Sequence, residues 1–475
     1  MIFLPDVEKN EAKNADAVLF FDVFHIFNIP YNNNNYNHNI SFFLYLTFVR
    51  VCRQAAACKA HCQSGTILSP YVRKKIDRIF YVFLFIQEKN MKFTIHKSDF
   101  MRVLVPAMGT VSNKNTITAI EGVLIETLDN GRIQISTYDM NKGFRATVEP
   151  IEIERAGRYI INAQRLYQTV RVLPDDDITF DVNDKLNCEI TSGKASFSMF
   201  ALKGEDFPNL PDLVTDNGFS VSAEIMRKMI SKVVHSIADQ DKRPMLCGAF
   251  FKISEGNMEV VSCDSYRLSK CNIKCDISSV AGDNLNYSFI IPGHALGELS
   301  KILADGEDEN VQVYLSRKHA IVKKGEIIFF TRTIDSEYID YNRMIPRDNG
   351  IIVNIDRERL LSGLERANII AEEKIQGSGK SYVKLCVKDQ QLSLNSTSVY
   401  GCVNDEMDCV HEGDDIEIGF NCRFLIDSVK AAEGENLYIK LKNPNQAITI
   451  EAVEESDDFS YAYVIVPVRM DYSGS

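Results

Sequence analysis

The chain has 475 residues, 45% hydrophobic and 25% charged, with 25 Gly and 13 Pro. That is globular composition with room for about three domains of roughly 100 to 200 residues each, and it excludes a collagenous, disulfide-stapled or wholly disordered protein. The formal net charge of -12 excludes a generally basic nucleic-acid coat, so any nucleic-acid site has to be a local basic patch.

Residues 1–90 differ from the rest. They hold an Asn-rich tract from Tyr31 to Asn39 and aromatic patches without sustained helical or strand periodicity. Their apolar runs, Phe42 to Val49 and Ile79 to Ile86, fall far short of the roughly 20 residues that span a bilayer. Asp6, Glu8 and Glu11 stand where a signal peptide carries its basic end, so a soluble cytoplasmic protein with no membrane partner is expected. Residues 1–90 carry 10 basic and 7 acidic side chains, which leaves 43 basic and 58 acidic in residues 91–475. The functional body is therefore the acidic part. Cys52, Cys58, His61 and Cys62 match neither a zinc-ribbon nor a zinc-finger spacing, and no metal or cofactor is expected. Cysteines inside strand-like runs (Cys188, Cys263, Cys386) read as small buried or edge residues of a reducing compartment.

From Met91 onward the sequence repeats itself three times. Ile161-Asn162-Ala163-Gln164-Arg165-Leu166 recurs as Ile291-Pro292-Gly293-His294-Ala295-Leu296 and as Phe420-Asn421-Cys422-Arg423-Phe424-Leu425, at offsets of 130 and 129 residues. An alternating hairpin precedes each copy: residues 123–128 with 132–137, 249–253 with 258–262, and 383–387 with 391–395. Before each hairpin lies an amphipathic helix, predicted over 99–108, 223–236 and 357–370. Further alternating strands follow each second helix. Each unit thus reads helix, hairpin, helix, strands, an α+β arrangement in which helices collect on one face of an antiparallel sheet. The predicted domains are 91–213, 214–346 and 347–475.

The charges are not spread evenly over these elements. The six helix windows hold 12 Lys and Arg against 6 Asp and Glu on a body that is otherwise acidic. Glu has as good a helix propensity as Lys and Arg, so its scarcity favours a positive helical surface facing nucleic acid over simple propensity.

Met91-Lys92-Phe93-Thr94-Ile95, Asp206-Phe207-Pro208-Asn209-Leu210-Pro211, Val261 to Leu268, Asp340 to Pro346, Ile418-Gly419-Phe420-Asn421 and Tyr463 to Met470 together resemble the bacterial sliding clamp, the beta subunit of DNA polymerase III. The resemblance runs from Met91 to Met470. It implies a DNA clamp fold: three similar domains, each antiparallel sheet plus two helices, with a homodimer closing a ring. It implies a non-enzymatic processivity factor that encircles double-stranded DNA. Its implied partners are the DNA polymerase III alpha subunit, the clamp loader complex, and clamp-binding repair polymerases and ligase-type proteins. Residues 1–90 have no counterpart in the family and are expected to be disordered or a misassigned upstream start.

The resemblance also implies sites. A partner-peptide pocket between the second and third domains would comprise Leu246, Cys263, Tyr266, Arg267, Leu268, Ile339, Arg343, Met344, Ile375, Asn421, Phe424, Val464, Val466, Pro467, Val468, Arg469 and Met470. Apolar walls with a few polar groups are what a peptide anchor needs, although Leu246, Val464 and Val466 also read as ordinary core. Cys263, Tyr266, Ile375 and Phe424 stand where the family commonly has Thr, His, Phe and Tyr. DNA contacts would come from loop residues Lys114, Gln240 and Arg243, with Pro244 and Met245 in place of common aromatics, and from helix residues Arg102, Arg227 and Arg359. Phe197 and Met199 of one chain would meet Ile369 and Ile370 of the other at the dimer interface.

Other classes fit less well. Gly377-Ser378-Gly379-Lys380-Ser381 lacks the first Gly of a phosphate-binding loop and follows a helix instead of preceding one. Asp175-Asp176-Asp177 and Glu307-Asp308-Glu309 suggest a metal-dependent nuclease only as isolated acidic turns. A protein-interaction scaffold without nucleic acid is the remaining alternative.

Overall fold

Each described helix begins where a strand ends, and at five of the six the residue at the switch supplies the cap. The computed structural model describes residues 90–112, 117–280, 285–304, 309–316, 318–371, 382–398, 401–454, 456 and 458–470, all within one unit spanning 88–475. Among the described residues the helices are α1 (Lys97–Ala107), α2 (Ala163–Val172), α3 (Ala223–Val233), α4 (Gly293–Ala304), α5 (Arg357–Ala371) and α6 (Cys422–Ala431). Side chains of His96, Asn162, Ser222, Asp356 and Asn421 accept from backbone N–H groups in the first turns of α1, α2, α3, α5 and α6. A cap of this kind is worth about 1 kcal/mol and fixes the point at which period two gives way to period 3.6.

The helix–hairpin–helix–strands order is present three times, with two additions that the sequence reading did not contain. A strand leads into the first helix of each unit (Met91–His96, Gly218–Ser222, Ile351–Asp356), and a third strand follows each hairpin (Lys142–Val148, Arg267–Lys274, Gly401–Asp408). The observed α1 starts two residues before the predicted one and α3 stops at Val233, where a 3-10 turn takes over.

Alternation buries one face of the strands that lead into the first and third units. In Met91–His96 the side chains of Met91, Phe93 and Ile95 are buried, and Phe93 stacks on Phe180 of the neighbouring strand at 4.8 Å between ring centroids. Truncating such a side chain to Ala costs about 3 to 5 kcal/mol. Helices pack in pairs within a unit, α1 with α2, α3 with α4 and α5 with α6, and between units α1 meets α4 and α3 meets α6.

The third strand of one unit pairs with the last strand of the next. Lys142–Val148 pairs antiparallel with Ile327–Arg332, and Arg267–Lys274 pairs antiparallel with Phe459–Ile465. The sheets therefore run unbroken across both junctions. Two strands of the kinds that join units are left over. Among the described residues, residues 195–200 of strand Ala195–Lys203 pair only with Asn187–Ser192, and Gly401–Asp408 pairs only with Gln391–Ser398.

Candidate peptide pocket and nucleic-acid face

Leu246, Cys263, Leu268 and Val464 of the expected pocket are brought together by the sheet crossing between the second and third units. Leu268 lies directly opposite Val464 in that crossing. Leu246, Val261, Cys263, Leu268, Tyr341 and Val464 form a buried cluster, with Met245, Phe250, Tyr338, Ile339 and Ile345 packed against it. Val261, Tyr341, Phe250 and Tyr338 are absent from the sequence-based set. Their signal was the alternation of the strand containing Val261 and the aromatic residues near Asp340, read there only as motif. Phe250 and Tyr338 stack at 5.0 Å, and the Tyr341 hydroxyl donates to Glu259, which also pairs with Lys270. Burial raises the Tyr341 hydroxyl pKa, and the bond to Glu259 adds to the rise.

Arg267 sets the polar rim. Its Nε donates to Asp264 at 2.9 Å and its Nη1 donates to Asp427 on α6 at 2.8 Å, so one guanidinium ties a turn of the second unit to a helix of the third. The guanidinium also lies 4.3 Å from the Phe424 ring centroid, and the Tyr266 ring lies 6.4 Å from Phe424. Asp264 and Asp427 were not anticipated. The Asp264 carboxylate accepts from the Tyr266 and Arg267 backbone N–H groups, which shapes the turn and leaves Ser265 at φ 79°.

The terminal segment runs along the third unit. Val466 N–H donates to the Tyr266 carbonyl, Val468 N–H donates to the Gly419 carbonyl at 2.8 Å, and Val468 and Met470 side chains crowd Gly419. A side chain at Gly419 would collide with both. Val466 is 44% exposed, so its reading as core is corrected: its backbone is tied at the rim while its side chain faces out. Leu246 and Val464 are buried, as a core reading also expects. Asn421 caps α6, a structural duty that its placement among pocket residues had not included. Met344 and Arg343 are exposed, and Arg343 pairs with Asp340. Pro467 is half-buried, Arg469 is exposed, and Ile375 lies outside the described residues.

On the helical side, the twelve cations divide by partner. Lys232, 7% exposed, pairs with Glu433 and donates to the Ala431 carbonyl, and Lys228 pairs with the same Glu433 while its ammonium sits 3.9 Å from the Phe459 ring centroid. These two lysines bind the second unit to the third and are not part of an open positive face, because their charges are spent at a junction. Burial opposes the Glu433 charge, but the two lysines prevail and hold its pKa below the ordinary value. Lys430 pairs with Glu365 and Arg366 with Asp405. Arg102, Arg165 and Arg227 are exposed and have no acidic partner among the described residues. Arg359 is exposed, 3.8 Å from Asp408.

Gln240 and Arg243 lie on an exposed loop. Arg243 is held by Asp241 through Nε at 3.0 Å and Nη2 at 3.1 Å, and those bonds hold the Asp241 carboxyl down at about 2. Lys114 lies outside the described residues. Among the described residues no three His, Cys, Asp or Glu side chains converge as metal ligands, and no helix is long and apolar enough to cross a membrane.

At the edges, Phe197 and Ile369 are exposed while Met199 and Ile370 are half-buried. Phe200, 83% exposed on the same edge strand, was missed, although its place in the alternation of that strand was available to find it. Ile370 lies beside Gly401, at the start of the other free edge.

Three family models match consecutive stretches of the chain: the DNA polymerase III beta subunit N-terminal domain over residues 91–211, its central domain over 220–340, and its C-terminal domain over 342–469. The beta sliding clamps of Bacillus subtilis and Staphylococcus aureus are each 25% identical over 389 residues, covering 80% of this chain and 100% and 99% of theirs. Among solved structures, the sliding clamp of Bacillus subtilis aligns with a TM-score of 0.73 at 25% identity. That of Bartonella birtlesii, bound to griselimycin, aligns with 0.72 at 26% identity. Each alignment covers 80% of this chain and 100% of the other. The chain belongs to the DNA polymerase III beta subunit family, the beta sliding clamps.

Proposed function

We propose that two copies of this chain close head to tail into a ring around duplex DNA, as a non-catalytic processivity factor for the replicative polymerase. The observation that carries this is the pair of unpaired edges. At both internal junctions, a third strand of one unit pairs with a last strand of the next, and the two remaining strands of those same kinds are 195–200 and Gly401–Asp408. A rotation that repeats the internal junction brings one chain's free edge to the other's, and a head-to-tail closure satisfies both at once. Units 91–213, 214–346 and 347–475 serve as the three clamp domains of each protomer.

Exposed Arg102, Arg227 and Arg359, with Gln240 and Arg243 on a loop and Lys114 carried over from the family resemblance, supply phosphate contacts without base readout, which lets a ring slide. The acidic remainder keeps DNA off the outside. The pocket built on Leu246, Cys263, Leu268 and Val464, rimmed by Tyr266, Arg267, Phe424 and the terminal Val466 to Met470, takes a Leu or Phe anchor of a partner peptide. The partners are the DNA polymerase III alpha subunit, the clamp loader complex and clamp-binding repair polymerases and ligase-type proteins, all met in the cytoplasm.

The test is topological. Protein loaded on nicked circular DNA should stay through gel filtration and leave when the circle is cut once. Equal retention on linear and circular DNA would indicate ordinary binding instead of encirclement.

A further inference from the structure

The outer face of the first unit's sheet holds a cleft of about 610 Å3 that neither the pocket nor the helical face uses. Its floor is two cross-strand rows, Arg145, Ser136 and Leu124 in one, and Gln134, Glu126 and Arg158 in the next. Directly opposed side chains share a face of the sheet, so the polar ends of both rows gather there. The segment from Pro208 to Asp212, leaving the first unit, completes the lining.

Two cations, Arg145 and Arg158, face two carboxylates, Glu126 and Asp212, in this lining, so the asymmetry lies in the pairing and not in the net charge. Glu126 lies 3.6 Å from the Arg158 guanidinium, whereas Arg145 has no carboxylate within ion-pair distance among the described residues. The Arg145 Nε is buried and has no hydrogen-bond partner. Burial lowers the Arg145 pKa, with Glu126 only partly restoring it. A guanidinium does not shed its proton in a protein, so this one stays charged with a buried donor unused. The volume falls in the range of small-molecule sites.

We propose that this cleft binds a small oxyanion, a phosphate or a carboxylate, clasped by the Arg145 guanidinium with the Ser136 hydroxyl and the Gln134 amide as further donors. A planar guanidinium with a free Nε suits the two parallel bonds that such a group accepts. The ligand would rest against the segment that leads from the first unit to the second.

Isothermal titration of the full chain with inorganic phosphate, and separately with citrate, in chloride buffer tests this. Saturable binding at one anion per chain is expected, weakened roughly tenfold or more in Arg145→Gln and less in Gln134→Leu. Phosphate binding alone assigns the site to phosphates, citrate alone to carboxylates, and either supports the proposal. Arg145→Lys keeps the charge without the fork and should show the same loss if Arg145→Gln does not fold. Absence of saturable binding by both anions, or unchanged binding in the arginine variants, overturns it.

Discussion

If the two free edges meet as their paired counterparts do, the contact has a register that can be worked out and locked. Ile327 follows the Gly325-Glu326 turn as Ala195 follows Gly193-Lys194, both glycines having positive φ, so Phe330 corresponds to Ser198. Lys274 opposes Asn257 next to a two-residue turn as Asp408 opposes Gln391, so Leu268 corresponds to Cys402. Phe330 faces Gly143 and Val464 faces Leu268, which places Ser198 of one chain opposite the partner's Cys402. Two residues along each internal junction, Arg332 N–H donates to the Asn141 carbonyl and Val466 N–H to the Tyr266 carbonyl. The opposed positions are thus hydrogen-bonded pairs, with Cα atoms about 5.5 Å apart, inside the span that a disulfide bridges. Ser198 and Cys402 are both exposed in the single chain. Under mild oxidation Ser198→Cys should give a covalent dimer on a non-reducing gel for most of the protein, and Cys402→Ser should abolish it. Phe197→Cys and Met199→Cys put the thiol on the opposite face and should remain uncrosslinked. Crosslinking from either of these instead of Ser198→Cys would refute the register. A wild-type dimer in sedimentation with no crosslink from any of the three would refute strand pairing as the closure.

Ile369, 71% exposed at the end of α5, should tolerate Asp in the folded protomer but lose about 2 to 3 kcal/mol of association, which sedimentation equilibrium would read as monomer. Half-buried His235, bonded to Ser269 and edge-on to Tyr463, has its pKa lowered from 6.5 to about 4 by desolvation, helped by the nearby Arg267 charge. The unfolded chain therefore takes up this proton first. Its contribution is complete above about pH 6.5 and falls by at most about 3 kcal/mol as pH drops toward 4; chemical denaturation of His235→Gln should lack that slope. Replacing Arg102, Arg227 and Arg359 together by Glu should flatten the salt dependence of DNA binding by about three units on a log–log plot, without sequence preference, and an unchanged slope would place the DNA elsewhere. Deleting Val468 to Met470 removes the backbone bond to Gly419 and should weaken a labelled Gln-Leu-Phe-type peptide by about 2 kcal/mol in fluorescence anisotropy, with dimerisation intact.

Some of the architecture is local and therefore legible. The switch from period two to period 3.6 at Asn162, Ser222 and Asn421 is a matter of neighbouring residues and a capping side chain, and it repeats because the unit repeats. The residues of the proposed pocket floor could be named by resemblance, since Leu268 and Val464 sit in recognisable runs. Nothing local says that these two stand opposite one another nearly two hundred residues apart. Pairing between strands of different units is a long-range choice, made where alternating faces and free edges match.

The charges show the same division. Lys228 and Lys232 have the same helical setting as Arg227, and by sequence all three read as one positive face. Only the packing of α3 against the third unit brings Glu433 to the two lysines and leaves Arg227 in solvent. Likewise Arg267 and Arg145 both lie on third strands, yet the first finds Asp264 and Asp427 while the second finds no carboxylate within ion-pair distance among the described residues. Sequence by itself determined the three units, their helices and hairpins and the excess of positive charge on the helices, because these depend on spacing along the chain. Which charges stay open, which strands join units and which two strands of the joining kinds are left without a partner depend on distances through space, and tertiary structure alone decided them.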